Sequence, residues 1–256
     1  MTPACPHNLC DGTGFRLVGE PGQGAEECPC RTEKLPLLCR QKAGFPDQYL
    51  DATFDNFVPK AIYPAQKEAL DGLRAYVEAW DEHRALGDCA AILGPTRVGK
   101  SHLAIAVARG VMDKVQRSLD EDFVMFINIT NWVDRWRRYW IAWPPGTPAE
   151  ARWQDPDWVR QTSILTRTNE RMDAVSLLVL DDLGEVKPDP SILNRIYGVV
   201  DHRTSNNLPM VVTANYSWAD IASRYGDDGQ RIVDRLREKS VDRAYIFEKT
   251  KLKRKG

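Results

Sequence analysis

The segment Gly94-Pro-Thr-Arg-Val-Gly-Lys-Ser101 constrains this chain more than any other. It follows the apolar run Cys89–Leu93 and opens the helical pattern Lys100–Leu119, so a strand, a glycine turn and a helix follow one another. Gly94 and Gly99 let the backbone curl closely around an anion, and the helix N-terminus adds N–H groups and the positive end of its dipole. Gly94, Pro95, Thr96, Arg97, Val98, Gly99, Lys100 and Ser101 thus form a phosphate-binding loop of the Walker A type. Lys100 is expected to reach the β- and γ-phosphates of ATP, and Ser101 to ligate Mg²⁺. Arg97 stands where a small residue is common; its guanidinium either touches phosphate or points to solvent.

Around this loop the pattern alternates helix and strand. Apolar runs at Cys89–Leu93, Phe123–Asn128, Ser176–Asp181, Leu208–Ala214 and Ala244–Phe247 predict five short strands, nearly continuous in apolar content as in a parallel sheet covered on both faces. Helical spacing marks Ala65–Trp80, Lys100–Leu119 and Ile192–Arg203. The fold class is therefore α/β, a parallel five-stranded sheet flanked by helices. Three zones divide the chain: a Cys-, Gly- and Pro-rich module at 1–40, a connector at 41–60 with aromatic anchors, and the α/β domain at 61–256. A net charge of −1 leaves any nucleic-acid surface to a local patch. No apolar run of membrane-spanning length and no signal-peptide pattern occurs, so a cytoplasmic protein without a membrane partner is expected.

The strand Leu177-Leu-Val-Leu-Asp181 ends on a carboxylate, followed by Asp182. An acid at a strand's C-terminal end meets the phosphate loop at the edge of such sheets, which assigns Asp181 to Mg²⁺ and Asp182 to the attacking water or to a helix cap. The strand ending at Ala214 delivers Asn215 to the same edge, as a water-positioning amide or an ordinary turn residue. Arg231 and Arg235 lie four apart on one helix face, with Arg237 nearby: a solvated basic face or arginines offered to a neighbour's ATP.

The ordered segments ATFDNF, QKEALDGLRAYVEAW, GPTRVGKSHLA, LLVLDDLG, VVDHRTSNNLPMVVTAN and RIVDRLRE resemble the DnaC/DnaI helicase-loader and IstB branch of the AAA+ ATPases, over about Phe54–Phe247. The resemblance implies that Arg235 is the arginine finger, with Arg231 and Arg237 as neighbours, and that the chain self-associates into an ATP-dependent open ring or spiral. The ending KTKLKRKG soon after Phe247 fits a truncated lid. Phe54 and Phe57 flank the adenine or anchor the connector.

Five of the six cysteines fall within the first 39 residues, a clustering that in a reducing compartment points to a metal. Cys10-Asp-Gly-Thr-Gly resembles half of a zinc knuckle, with Gly12 and Gly14 making the turn. The expected zinc ligands are His7, Cys10, Cys28 and Cys30, with Cys5 the first substitute and Cys39 the second. Without metal such a segment holds no fold of its own. The resemblance makes this module the helicase-docking part.

Residues 131–158 hold Trp132, Trp136, Trp140, Trp143, Trp153 and Trp158, interleaved with Arg135, Arg137, Arg138 and Arg152 and broken by the turn at 143–148. Trp132, Trp136 and Trp140 form one helix stripe, which either packs on the core or stacks on single-stranded DNA beside Arg135 and Arg138. Initiator-type AAA+ proteins carry extra DNA-facing helices at this point of the fold. Together these readings favour an ATPase with ATP, Mg²⁺ and Zn²⁺ as cofactors that remodels the hexameric replicative DNA helicase and places it on single-stranded DNA. An IstB-like transposition ATPase on duplex DNA and an ATP-gated DNA-binding switch with little turnover are the alternatives.

Overall fold

The computed structural model describes residues 5, 7–10, 15–18, 24–115, 123–141, 151, 153–187 and 189–248. The chain opens with a short antiparallel hairpin, β1 (Phe15–Leu17) with β2 (Ala25–Glu27), that leads through Cys28 into α1 (Pro29–Lys42). A single 3₁₀ turn, Asp47–Tyr49, punctuates the connector. Then come α2 (Ala65–Glu78) and α3 (Trp80–Leu86), where one continuous helix to Trp80 was expected. Residue 79 breaks it, with φ −93° and ψ 25°.

The α/β part continues with β3 (Ala90–Leu93), α4 (Lys100–Val115), β4 (Val124–Asn128), α5 (Ile129–Trp136) and a π-helical turn at Arg137–Ile141. After it lie α6 (Pro156–Ala174), β5 (Leu177–Asp181), α7 (Pro190–Ser205) and β6 (Met210–Ala214). The last elements are α8 (Trp218–Tyr225), α9 (Asp227–Lys239) and β7 (Ala244–Ile246). All five expected strands form, each trimmed by a residue or two, and pair in parallel in the order β4-β5-β6-β3-β7.

Alternate side chains of each strand enter separate cores, as the period of two requires. Ile92, Phe126, Val179 and Val211 face the core that α2, α4 and the connector close; Leu93, Met125, Leu180 and Val212 face the one closed by α5, α7, α8 and α9. Both faces are covered, which explains the unbroken apolar runs. Among the described residues no helix is long and apolar enough to cross a membrane. The glycines at 12 and 14, the turn at 143–148 and the tail from 249 lie outside the described residues.

Candidate functional site

The parallel order puts the C-terminal ends of β3, β5 and β6 side by side, and each carries a polar residue onto one edge. Lys100, only 5% exposed at the start of α4, donates to the carbonyl of Pro95 at 2.8 Å and to Asn215 Oδ1 at 2.7 Å. Burial lowers its pKa, while the charges of Asp182, Asp181 and Glu185 oppose that shift. The loop before it adopts left-handed φ at Gly94 (144°), Arg97 (61°) and Gly99 (89°). Arg97 is the only non-glycine of these three; the conformation costs it about 1–2 kcal/mol, and its side chain is exposed. Its carbonyl accepts from Lys60 Nζ at 3.4 Å.

Phe57 explains why position 99 must be glycine: a Cβ there would meet the Phe57 ring at 2.5 Å. Phe57 also packs on His102, ring centroids 5.4 Å apart, and His102 donates to the carbonyl of Thr53 at 2.9 Å. Phe54 is held under the Arg74 guanidinium at 5.4 Å. Both rings thus anchor the connector, one of their two expected roles. Buried Gln66 fastens α2 to the loop, accepting from the Lys60 N–H at 2.6 Å and donating to the carbonyl of Val98 at 2.7 Å. Asn56, Phe57, Val58, Lys60 and His102 line a cavity of about 200 Å³ against Arg97, Val98 and Gly99.

Asp181 is buried, and its Oδ1 accepts from the hydroxyl of Thr213 at 2.7 Å. The same Thr213 oxygen accepts the Asp182 N–H at 3.0 Å, so one fully buried hydroxyl aligns both acids. Asn128 stands directly opposite Asp181 in the β4–β5 register, and its Nδ2 donates to Asp181 at 3.2 Å and to Asp182 at 3.0 Å. Asp182 sits at φ 61°. Burial and the charge of Asp181 raise its pKa, which Asn128 and Lys100 partly offset. Asn215 donates to Glu185 Oε2 at 3.0 Å and to Asp182 Oδ1 at 3.5 Å. Lys100, Asp181, Asp182 and Asn215 therefore meet at one edge. Asn128, Thr213 and Glu185 join them without having been anticipated; Asn128 ends a predicted strand just as Asn215 follows one, which was the available signal.

The three arginines do not point into this site. Arg235 pairs with Asp201 on α7 at 2.9 Å; Arg231 lies over the Tyr197 ring at 4.5 Å and pairs with Asp228 at 3.4 Å; Arg237 is exposed on α9. The tryptophan stripe divides. Trp132 is 4% exposed and packs edge-on against the half-buried Trp136, centroids 5.8 Å apart, within the core under α5. Of the two readings of the stripe Trp132 takes the core one, buried in the cluster with Met125 and Ile129, and it also lines the cleft along β4. Arg135 and Arg138 are exposed, whereas the Trp140 side chain lies outside the described residues. A cleft of about 420 Å³ runs along edge strand β4, with Asn128, Asn131, Arg135, Thr168 and Arg171 on its walls.

At the N-terminal end, Cys5, Cys10, Cys28 and Cys30 gather with their sulfurs within 4.8 Å of one another. Cys5 to Cys28 is 3.6 Å and Cys10 to Cys30 is 3.5 Å. Tetrahedral zinc with bonds of about 2.3 Å separates its sulfurs by about 3.8 Å, so the four thiols fit that ion. This corrects the expected ligand set at one position. The His7 ring turns away to Glu33 at 2.8 Å, and Cys5 takes its place. Cys39 is buried against the main core instead. Burial pushes the Cys5 thiol up, but backbone hydrogen bonds from Leu9, His7 and Cys10 outweigh it and leave the thiol below its ordinary range. Burial and the neighbouring sulfurs push Cys30 the other way.

No protein-family model and no curated protein matches the sequence. Solved structures do match the fold. The DnaC helicase loader superposes with a TM-score of 0.59 at 21% identity, over 79% of this chain and 100% of that one. The chain has the AAA+ fold. DnaI follows at 0.58 and 18%, covering 80% of this chain and 95% of its own. The replication initiator DnaA, solved with AMPPCP and single-stranded DNA, gives 0.55 at 13% over 80% of this chain and 51% of that one.

Proposed function

We propose that this chain is an ATP-driven loader that remodels a hexameric replicative DNA helicase and deposits it on single-stranded DNA. The observation that carries the reading is the meeting of Lys100, Asp181, Asp182 and Asn215 at one sheet edge, in a fold that spans the full DnaC helicase loader structure. Lys100 would exchange Asn215 and the Pro95 carbonyl for the β- and γ-phosphates. Ser101 and Asp181 would hold Mg²⁺, which neutralises charge developing on the phosphates. Asp182, with Asn215 beside it, would take the attacking water. The cavity beside Phe57 and Lys60 is the seat for the nucleoside.

Arg235 would leave Asp201 to reach a neighbour's ATP in an open ring or spiral, with Arg231 and Arg237 flanking it. Cys5, Cys10, Cys28 and Cys30 would hold a structural zinc whose binding energy folds residues 1–40, the part that docks on the helicase; residues 41–60 connect it to the ATPase domain. The cleft along β4 would give single-stranded DNA a basic wall that includes Arg135, with the exposed Arg138 as a further phosphate contact. Native mass spectrometry tests the reading by mixing the protein with a hexameric replicative helicase and a slowly hydrolysed ATP analogue. A defined complex that needs the analogue is expected. No such complex, with nucleotide-dependent assembly on duplex DNA instead, would replace the loader by a transposition ATPase.

A further inference from the structure

Asn215 has one amide acceptor and two N–H donors to distribute. Its oxygen takes Lys100 at 2.7 Å, and its nitrogen makes its shorter bond, 3.0 Å, to Glu185 rather than to Asp182 at 3.5 Å. We propose that Glu185 is a positioning residue for ATP hydrolysis, whose carboxylate fixes the orientation of the Asn215 amide. The proposal rests on the ATPase reading above.

The backbone holds Glu185 ready for this role. Leu183 is fully buried and its N–H donates to the carbonyl of Thr213 at 2.9 Å. Gly184, at φ 88°, donates its N–H to the Tyr225 hydroxyl at 2.8 Å and accepts from Arg224 Nε at 2.7 Å. The Glu185 carbonyl accepts from Arg224 as well, at 3.1 Å. Helix α8 thus clamps the loop after β5, while the Glu185 side chain stays exposed at the open edge of the site.

Charge then decides the amide's orientation. In the structure Lys100 and Glu185 both enforce it, one through the oxygen and one through the nitrogen. Once Lys100 turns to phosphate, the charge-assisted bond to Glu185 is the stronger tie that remains. Without it the amide nitrogen keeps only the 3.5 Å contact to Asp182 Oδ1, and the amide is held loosely where it would position water between that acid and a γ-phosphate. Asp182 compensates only weakly, since Asn128 on its Oδ2 and the Thr213 hydroxyl on its N–H hold its Oδ1 at 3.5 Å from the Asn215 nitrogen.

The test is a double-mutant cycle read in steady-state turnover and in equilibrium nucleotide binding. Glu185→Ala should lower kcat about tenfold, the size of one lost charge-assisted hydrogen bond, with ATP affinity within about twofold of wild type. Glu185→Gln, which keeps an acceptor but no charge, should fall between. Glu185→Ala with Asn215→Ala should turn over within about twofold of Asn215→Ala alone, because the carboxylate acts through the amide. Wild-type kcat in Glu185→Ala, or losses that multiply in the double variant, would overturn the proposal and leave the ATPase reading intact. A wild-type protein that binds ATP without turnover, with and without single-stranded DNA, would remove the ATPase reading and this role with it.

Discussion

The phosphate edge of the sheet and the tryptophan stripe of α5 are both marked by polar and aromatic residues at regular spacing, yet they reach different ends. At the edge, Lys100, Asp181 and Asn215 sit on central strands and helix starts whose positions follow from backbone pairing. Their chemistry is thereby committed to one spot. On α5, Trp132 and Trp136 share the helix face that four-residue spacing predicts, but that face joins the buried core that β4 and α7 also enter. A helical period tells which residues share a side; it does not tell whether the side meets core or ligand. Loops that cradle phosphate need particular backbone geometry and so leave a sharper signature than a surface that stacks on bases.

Substitutions in the two regions should separate them. Lys100→Ala should abolish ATP turnover while leaving the thermal midpoint near that of wild type; residual turnover above one percent or so would separate the loop from the chemistry. Trp132→Ala should cost about 3–5 kcal/mol of stability by leaving a core cavity, seen in denaturant unfolding, with the DNA affinity of the folded protein unchanged. Cys5→Ser should lose roughly a quarter of the about 10–16 kcal/mol that a structural zinc supplies, roughly a hundred- to a thousandfold in zinc affinity, whereas His7→Ala should keep one zinc per chain by mass spectrometry. Arg135→Ala should weaken single-stranded DNA binding only a few-fold and reduce the salt slope by about 0.7, without touching stability. If Trp132→Ala and Arg135→Ala exchange these outcomes, the inward reading of α5 fails.

The phosphate loop was legible because its requirements are local: glycine where φ is positive, a cation and a hydroxyl at the helix start. Asp181, Asp182 and Asn215 were legible because they end or follow apolar strands. Asn128 ends a strand too, but its role depends on facing Asp181 across β4–β5, a register no single segment contains. Thr213 and Glu185 act through the same pairing of neighbouring chain ends. In the cysteine module, spacing from Cys10 favoured His7 over Cys5. The fold resolves this by backbone: Asn8 turns at φ 54°, the His7 and Leu9 N–H groups aim at the Cys5 sulfur, and the imidazole is left to Glu33.

In the proposed function the acids, amide and lysine gathered at this edge hydrolyse ATP for a DNA-loading task. Steady-state phosphate release with Mg²⁺ and ATP, measured across a titration of single-stranded DNA, tests it most directly. Turnover that responds to DNA and disappears in Asp182→Asn is expected. ATP binding without phosphate release, at every DNA concentration, would contradict it.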